Sequence, residues 1–406
     1  MGNIIWLVTA LLVPLVWLIP RLTGTGAGME HAPHGTVALL SGLTIVGAAF
    51  LLSWATELAE EYVPPAFALI ILALISVLPE YAVDMHITWK AGQQLTVDLG
   101  GTDYRDLAVA NMTGANRILI GLGWTMLVFV RFFRTGEREL GARPAQRLEL
   151  GFLLLATIYS LVLPIRGHLS LMDSAVFLAI FGLYCWRTLK TEVEQRPLLG
   201  PAAWLHQHVG SGGRLALIFL FATYACAAIW FSAEPFAEGL IGLGKAWNID
   251  EFILIQVVAP LASESPEFIV AILFVVRHRA STALGALVSS KVNQWTLLVG
   301  AIPIVYAFSS GQVNLLEGME LHAVPRAELL LTSAQSLFAV AVLSDLRFTL
   351  REAILLVVLF LLPWVLYFIP GVEYWCSALY FVLTLVVGFR TPRRRRDFAR
   401  LLRLKG

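Results

Sequence analysis

Charged residues are scarce in this chain. Asp, Glu, Lys and Arg make up only 14% of the 406 residues, whereas hydrophobic residues make up 58%. An average soluble domain contains about 25% charged residues. The composition therefore excludes an ordinary soluble domain. It predicts an all-α, polytopic membrane protein, because long apolar segments satisfy their backbone groups in lipid by forming helices.

Cysteines and enzyme signatures are also few. Cys185, Cys226 and Cys376 lie in apolar segments without metal-ligand spacing, so we interpret them as packing residues. No HExxH or GxSxG pattern occurs, which argues against the hydrolases that carry these motifs. We predict that the chain is not an enzyme and needs no cofactor. The net charge of +1 says nothing about nucleic acid, but the basic residues fall in short loops and at the C-terminus, so we interpret them as topology signals and not as a nucleic-acid-binding patch. The expected partners are inorganic cations and the lipid bilayer, with no nucleic acid and no obligate protein partner.

The apolar runs predict the number of membrane spans. Taking about 20 residues as one span, we count about twelve transmembrane helices. They cover residues 3–20, 36–60, 64–90, 104–132, 149–165, 172–189, 214–242, 249–277, 282–309, 326–344, 351–369 and 373–390. Lys and Arg are concentrated in the loops of one side, which by the positive-inside rule places both termini in the cytoplasm. We expect a prokaryotic inner (plasma) membrane.

A proline and a carboxylate interrupt two of these apolar runs in the same way. The first run contains Ser76 followed by Pro79-Glu80, and the second contains Ser263 followed by Pro266-Glu267. An intramembrane carboxylate is costly and usually functional, and an internal proline is expected to break the helix. The pair therefore predicts a cation site.

The positions of these two runs divide the chain into repeats. Residues 36–189 and 214–369 each contain five predicted helices, with the Ser-Pro-Glu run on the second. Because five is odd, the repeats enter the membrane from opposite sides, which is a transporter architecture. The remaining segments are one extra helix and an external loop at 1–35, a cytoplasmic linker at 190–213, and an extra helix with a basic tail at 370–406.

A small and polar stretch marks the third helix of each repeat. Residues 106–117 form the first stretch and residues 285–294 the second. Small residues let helices approach closely, and amide or hydroxyl oxygens bind hard cations. The candidate ligands in these stretches are Asn111, Asn116, Ser290 and Gln294. Both ligation and helix–helix hydrogen bonding remain open for them.

These residues resemble the motifs of the sodium/calcium exchanger, or calcium/cation antiporter, superfamily. Residues 78–80 are similar to its GTSLPE-like motif, and residues 111–116 to its GNxxGSNxxN-like motif. The resemblance implies a ten-helix core that exchanges Ca²⁺ for Na⁺ or H⁺ by alternating access. It implies that the transported metal ion is bound mainly by Glu80 and Glu267, with oxygens from Ser76 and Ser263.

Several charges depart from the family pattern. Lys291 stands where the resemblance places an Asn, and Arg117 replaces an apolar residue. Asp84 and Glu264 lie one helical turn from a motif carboxylate. We interpret Lys291, Arg117, Asp84 and Glu264 as coupling or charge-compensating residues. Asp84 and Glu264 are also candidate ligands. In an alternative interpretation, the motif carboxylates are structural partners of the two cations, because intramembrane charges usually pair.

The sequence thus predicts a secondary cation antiporter with a carboxylate site near the membrane midplane. We expect Ca²⁺ as the substrate and Na⁺ or H⁺ as the counter-ion, with fewer sodium ions or with protons because of Lys291. A buried lysine readily changes its protonation state and can replace a bound monovalent cation. The alternative is a monovalent cation/proton antiporter of the Na⁺/H⁺ type that has lost calcium selectivity.

Overall fold

The structure is a computed structural model that describes residues 2–23, 32–59, 61–62, 77–97, 101–190, 198–389 and 391–404. The described chain is helical almost throughout. Its helices are α1 (Gly2–Leu22), α2 (His34–Ala59), α3 (Leu78–Gln93), α4 (Tyr104–Ile118), α5 (Thr125–Thr135), α6 (Gln146–Ser160), α7 (Leu163–Arg166), α8 (Leu171–Thr188), α9 (Gly200–His208), α10 (Ser211–Trp247), α11 (Glu251–Val276), α12 (Ala280–Asn293), α13 (Val299–Ser310), α14 (Ala323–Leu343), α15 (Leu350–Val365), α16 (Val372–Phe389) and α17 (Pro392–Leu401).

The helices confirm a polytopic membrane protein. Within the described ranges, nine helical segments have the length and apolar character to cross a membrane, and the bent pair Val372–Gly388 and Pro392–Leu401 is a tenth candidate. Each predicted run contains a described helix, although residues 64–76 of the third run lie outside the described part of the chain. Helix α15 has only 16 residues and is therefore about 24 Å long, shorter than the roughly 30 Å hydrocarbon core.

The chain forms two compact units, and the first comprises residues 1–87 and 192–267. Within it, α2 and α10 pack against each other through glycines. A Cβ atom on Gly42 would lie 2.8 Å from the ring of Phe236, and one on Gly239 would lie 2.8 Å from the backbone nitrogen of Ala38. Small residues at these points allow the helix backbones to approach closely.

The second unit comprises residues 88–191 and 268–406, and two short antiparallel strand pairs connect its loops. Strand β1 (Glu139–Gly141) pairs with β4 (Arg347–Thr349), and β2 (His168–Leu169) pairs with β3 (Met319–Glu320). Each pair joins the loop between the third and fourth helices of one predicted repeat to the loop between the fourth and fifth helices of the other. The pattern therefore occurs twice with the repeats exchanged.

The third helix of each predicted repeat contains a π-helical turn. One turn covers Leu119–Trp124, between α4 and α5, and the other covers Gln294–Leu298, between α12 and α13. The first turn begins two residues after the first polar stretch ends, and the second begins at Gln294, the last residue of the second stretch. Neither turn was predicted from the sequence. Such turns are rare and occur frequently at functional sites.

The basic C-terminal segment also contains structure that the apolar pattern did not predict. Helix α17 is bent by 112° relative to the preceding span. Arg394 holds it in place through ion pairs with Asp345 at 2.9 Å and Glu352 at 2.7 Å. The segment therefore packs against the loop at Asp345 and the first turn of α15 instead of extending away as a simple tail.

Candidate cation site

The first motif lies at the start of α3, in the first compact unit. Glu80 occupies the first helical turn and is 3% exposed, and Asp84, one turn later, is fully buried. The positive end of the helix dipole favours a carboxylate in the first turn. The predicted ligand Ser76 lies outside the described residues.

The second motif lies within α11, and its carboxylates belong to the same unit. Glu264 is 3% exposed, whereas Glu267 is only half-buried. Ser263 is buried and donates its hydroxyl hydrogen to the carbonyls of Ala259 and Pro260, both at 3.2 Å. Its oxygen lone pairs remain available as acceptors, so this geometry is compatible with cation ligation.

The prediction that the proline breaks this helix is wrong, because α11 continues from Glu251 through Pro266 to Val276. Proline cannot donate to the carbonyl four residues earlier, which here belongs to Ala262. The hydroxyl of Ser265 donates to that oxygen at 3.0 Å. The neighbouring side chain thus supplies the missing hydrogen bond, and the helix remains intact.

The predicted polar ligands lie in the second unit and are all buried. Exposure is 1% for Asn111, 0% for Asn116, 6% for Ser290 and 1% for Gln294. A hydrogen bond within its own helix defines the orientation of the Asn116 side chain. Its side-chain nitrogen donates to the carbonyl of Met112 at 2.8 Å, and this bond fixes which end of the amide is free to accept.

Lys291 binds to that accepting end. Its Nζ lies 2.6 Å from Oδ1 of Asn116 and 3.2 Å from the backbone oxygen of the same residue. The side chain is fully buried, and the ammonium also lies 4.4 Å from the ring centroid of Trp295. The two polar stretches therefore meet where the ammonium of Lys291 contacts two neutral oxygens of Asn116.

Arg117 has a carboxylate partner that sequence reasoning missed. Its guanidinium lies 2.5 Å from Glu328 on α14, and the two side chains are 2% and 9% exposed. The rings of Phe360 and Trp364 lie 5.9 and 5.7 Å from its Cζ. The positive charge is therefore compensated locally, by a residue outside the predicted site.

A repeated pattern could have identified this partner. Residues 147–150 read Arg-Leu-Glu-Leu and residues 326–329 read Arg-Ala-Glu-Leu, each at the start of the fourth helix of a repeat. Glu149 accepts a hydrogen bond of 2.7 Å from Ser289. Like Glu328, it thus contacts the third helix of the other predicted repeat, which is the helix that carries the polar stretch.

A second polar cluster lies at the start of α4. Nδ1 of His322 is 2.9 Å from Asp106 and 3.3 Å from Asp103, and Arg105 donates to Asp103 at 2.9 Å. Partial burial raises the pKa of Asp103, but the hydrogen bonds and charge of Arg105 and the charge of His322 outweigh it, and the pKa lies below its ordinary value. We interpret this arrangement as an ion-pair cluster, since Arg105 already compensates one of the two carboxylates.

Comparisons with known proteins agree with the motif pairs. A family model described as "Sodium/calcium exchanger protein" matches residues 34–190 and, separately, residues 217–369. No curated protein matches the chain in sequence.

Solved structures with the same fold are similar over most of the chain. An H⁺/Ca²⁺ exchanger named CAX is 42% identical with a TM-score of 0.90, and the match covers 99% of this chain and 97% of that one. Native YfkE is 15% identical with a TM-score of 0.60 and coverages of 94% and 100%. A sodium–calcium exchanger named NCX_Mj is 16% identical with a TM-score of 0.54 and coverages of 82% and 98%.

Proposed function

Because the chain belongs to the sodium/calcium exchanger protein family, as its paired motifs predicted, we propose that it is an antiporter that exchanges Ca²⁺ for H⁺. A membership of this kind makes the protein a cation transporter and not an enzyme. In this proposal Ca²⁺ is cargo that enters and leaves the site in each cycle. The site itself needs no resident cofactor.

The observation that carries the proposal is the burial of carboxylates on both motif helices. Glu80, Asp84 and Glu264 are each at most 3% exposed, and all three belong to the first compact unit. Charges buried in apolar spans are expensive unless a function retains them. Carboxylate oxygens are also the ligands that Ca²⁺ prefers. We propose Glu80 and Glu267 as the principal ligands because the resemblance to the exchanger motifs implies this pair. Glu267 is half-buried, and the buried carboxylates Asp84 and Glu264 each lie one helical turn from a member of the pair.

Two arguments favour protons as the counter-ion. The H⁺/Ca²⁺ exchanger CAX is 42% identical over nearly the whole chain, so its coupling is a sound starting point for this protein. In addition, Glu80 and Asp84 lie one helical turn apart, and like charges at this spacing repel each other. This repulsion is relieved either when one divalent cation binds to the two carboxylates or when protons do. Binding of Ca²⁺ and of H⁺ to the same carboxylates in turn is what an exchanger requires.

The repeat division and the topology form part of the proposal. Separate matches of the family model to 34–190 and 217–369 support repeats at 36–189 and 214–369. We also propose the extra segments at 1–35 and 370–406 and the linker at 190–213. Both termini are proposed to be cytoplasmic, because the loops on their side of the membrane are rich in Lys and Arg. The location in a prokaryotic plasma membrane also remains our proposal.

Transport in proteoliposomes tests this function. We expect Ca²⁺ uptake driven by an outward H⁺ gradient, and no uptake driven by Na⁺ alone. Glu80→Gln and Glu267→Gln should each abolish uptake, because they remove a ligand charge while keeping the side-chain shape. Glu317→Gln is the matched control, since Glu317 is an exposed loop residue, and it should leave uptake unchanged.

Two results would contradict the proposal in different ways. Absence of Ca²⁺ movement under both gradients would exclude Ca²⁺ exchange. Cation-dependent release of protons with Na⁺ alone, and without Ca²⁺ movement, would instead support the monovalent cation/proton antiporter.

A further inference from the structure

Lys291 makes the contacts that a bound monovalent cation would make. Its ammonium lies 2.6 Å from the amide oxygen of Asn116 and 3.2 Å from the backbone oxygen. The bond from Asn116 to Met112 fixes the amide with its oxygen toward the ammonium. Both Lys291 and Asn116 are fully buried, so the ammonium has exchanged hydration for protein oxygens.

Neutral carbonyl and amide oxygens can replace the hydration shell of a monovalent metal ion. Here an ammonium with the same charge already occupies two of them, and the ring of Trp295 lies on the charge at 4.4 Å, a favourable cation–π distance. A second monovalent cation about 4 Å from this charge would bind about a thousandfold more weakly at an effective dielectric constant of about 20.

The neighbouring cation does not have this role. Arg117 is adjacent to Asn116 in sequence, but its guanidinium is paired with Glu328 at 2.5 Å. Its charge is therefore balanced within that pair. The ammonium of Lys291 is the cation that contacts the oxygens of Asn116.

We propose that Lys291 is a specificity-determining residue: its ammonium is a covalently attached substitute for a transported Na⁺ at Asn116, and it excludes Na⁺ from the exchange cycle. This inference rests on the proposed function, because it explains which counter-ion the Ca²⁺ antiporter does not use. Exchange with protons requires no ion at these oxygens, whereas exchange with Na⁺ requires them to be vacant.

Charge removal at this position provides the test. Lys291→Asn removes the ammonium and supplies a further amide oxygen, and Lys291→Arg keeps the positive charge. One assay measures ²²Na⁺ uptake into proteoliposomes, driven by an outward Ca²⁺ gradient in exchange for the Ca²⁺ that leaves. A second assay measures Ca²⁺ uptake driven by an outward H⁺ gradient. We expect saturable, Ca²⁺-dependent ²²Na⁺ uptake for Lys291→Asn, and background uptake for the wild type and for Lys291→Arg. Lys245→Asn is the matched control at an exposed lysine and should also remain at background.

An isosteric change at the other partner gives an independent answer should Lys291→Asn fail to fold. Asn116→Asp strengthens the hold on the ammonium, so uptake of ²²Na⁺ should remain at background. A gain of Na⁺ uptake in Asn116→Asp would overturn the inference, because it would show that Na⁺ binds there despite Lys291.

The remaining outcomes separate the inference from the proposed function. Na⁺-driven Ca²⁺ exchange by the wild type would overturn the inference but leave Ca²⁺ transport intact. A folded Lys291→Asn variant that retains H⁺-driven Ca²⁺ uptake but shows only background ²²Na⁺ uptake would also overturn the inference. Loss of all Ca²⁺ movement in the wild type would instead refute the proposed function.

Discussion

The buried ion pair of Arg117 and Glu328 should be one of the most sensitive points of the second unit. Arg117→Met keeps a long apolar side chain near Phe360 and Trp364, but it leaves the Glu328 carboxylate buried without its guanidinium. The two side chains are 2% and 9% exposed. Removing one partner of a buried pair typically costs about 3–5 kcal/mol, because the other charge is left uncompensated. Neutralising both, as Arg117→Met with Glu328→Gln, should recover most of that loss.

The assay is denaturant unfolding of the purified protein in detergent, followed by tryptophan fluorescence. An exposed pair supplies the control: Arg347 lies 3.5 Å from Glu139, and the side chains are 56% and 46% exposed. Exposed pairs contribute at most about 1 kcal/mol, so Arg347→Met should have a much smaller effect. Equal losses for Arg117→Met and Arg347→Met, or no recovery in the double variant, would refute the reasoning.

Two further predictions concern local packing and charge. Gly121→Ala should lower the free energy of unfolding by about 1–3 kcal/mol, because a Cβ there would overlap the side chain of Phe360. Gly182→Ala should raise the free energy of unfolding by about 0.5–1 kcal/mol, because glycine is unfavourable within a helix and the new Cβ would meet no atom within 4 Å beyond its chain neighbours and its own helix backbone. Thermal unfolding distinguishes the two variants, and equal shifts would contradict the packing argument. Asp103→Asn keeps a good N-cap but loses the charge paired with Arg105, so it should cost less than about 1 kcal/mol at neutral pH. Because the pKa of Asp103 is lowered by folding, this cost should be present above the ordinary carboxylate pKa of about 3.9 and should disappear as pH falls through the lower folded value; a cost that is independent of pH would contradict it.

The spanning helices could be predicted because the bilayer imposes length and apolar character on each one. The effect of Pro266 could not, because it depends on whether a neighbouring group satisfies the freed carbonyl of Ala262. The hydroxyl of Ser265 does so, and this outcome follows from local geometry and not from hydropathy. The short strands and the π-helical turns gave no hydropathy signal either.

In the candidate site, too, the sequence predicted some features and missed others. Burial of Glu80 and Glu264 agrees with their positions in apolar runs, but the roles of the site residues remain predictions. The contact between Lys291 and Asn116 could not be derived, because it depends on which helices of the two repeats become neighbours. The ion pair between Arg117 and Glu328 could have been suspected from the repeated Arg-x-Glu-Leu pattern. An analysis based on hydropathy and the two longer motifs does not detect that short pattern.

The crossed strand pairs have a consequence for how the two halves of the chain hold together. In β1–β4 and β2–β3, each predicted repeat contributes one loop strand to a pair with the other. An isologous dimer makes every contact twice in this reciprocal manner. Two halves expressed separately would therefore present complementary strands for both ladders to each other. They should still assemble, and co-purification of the two halves checks this.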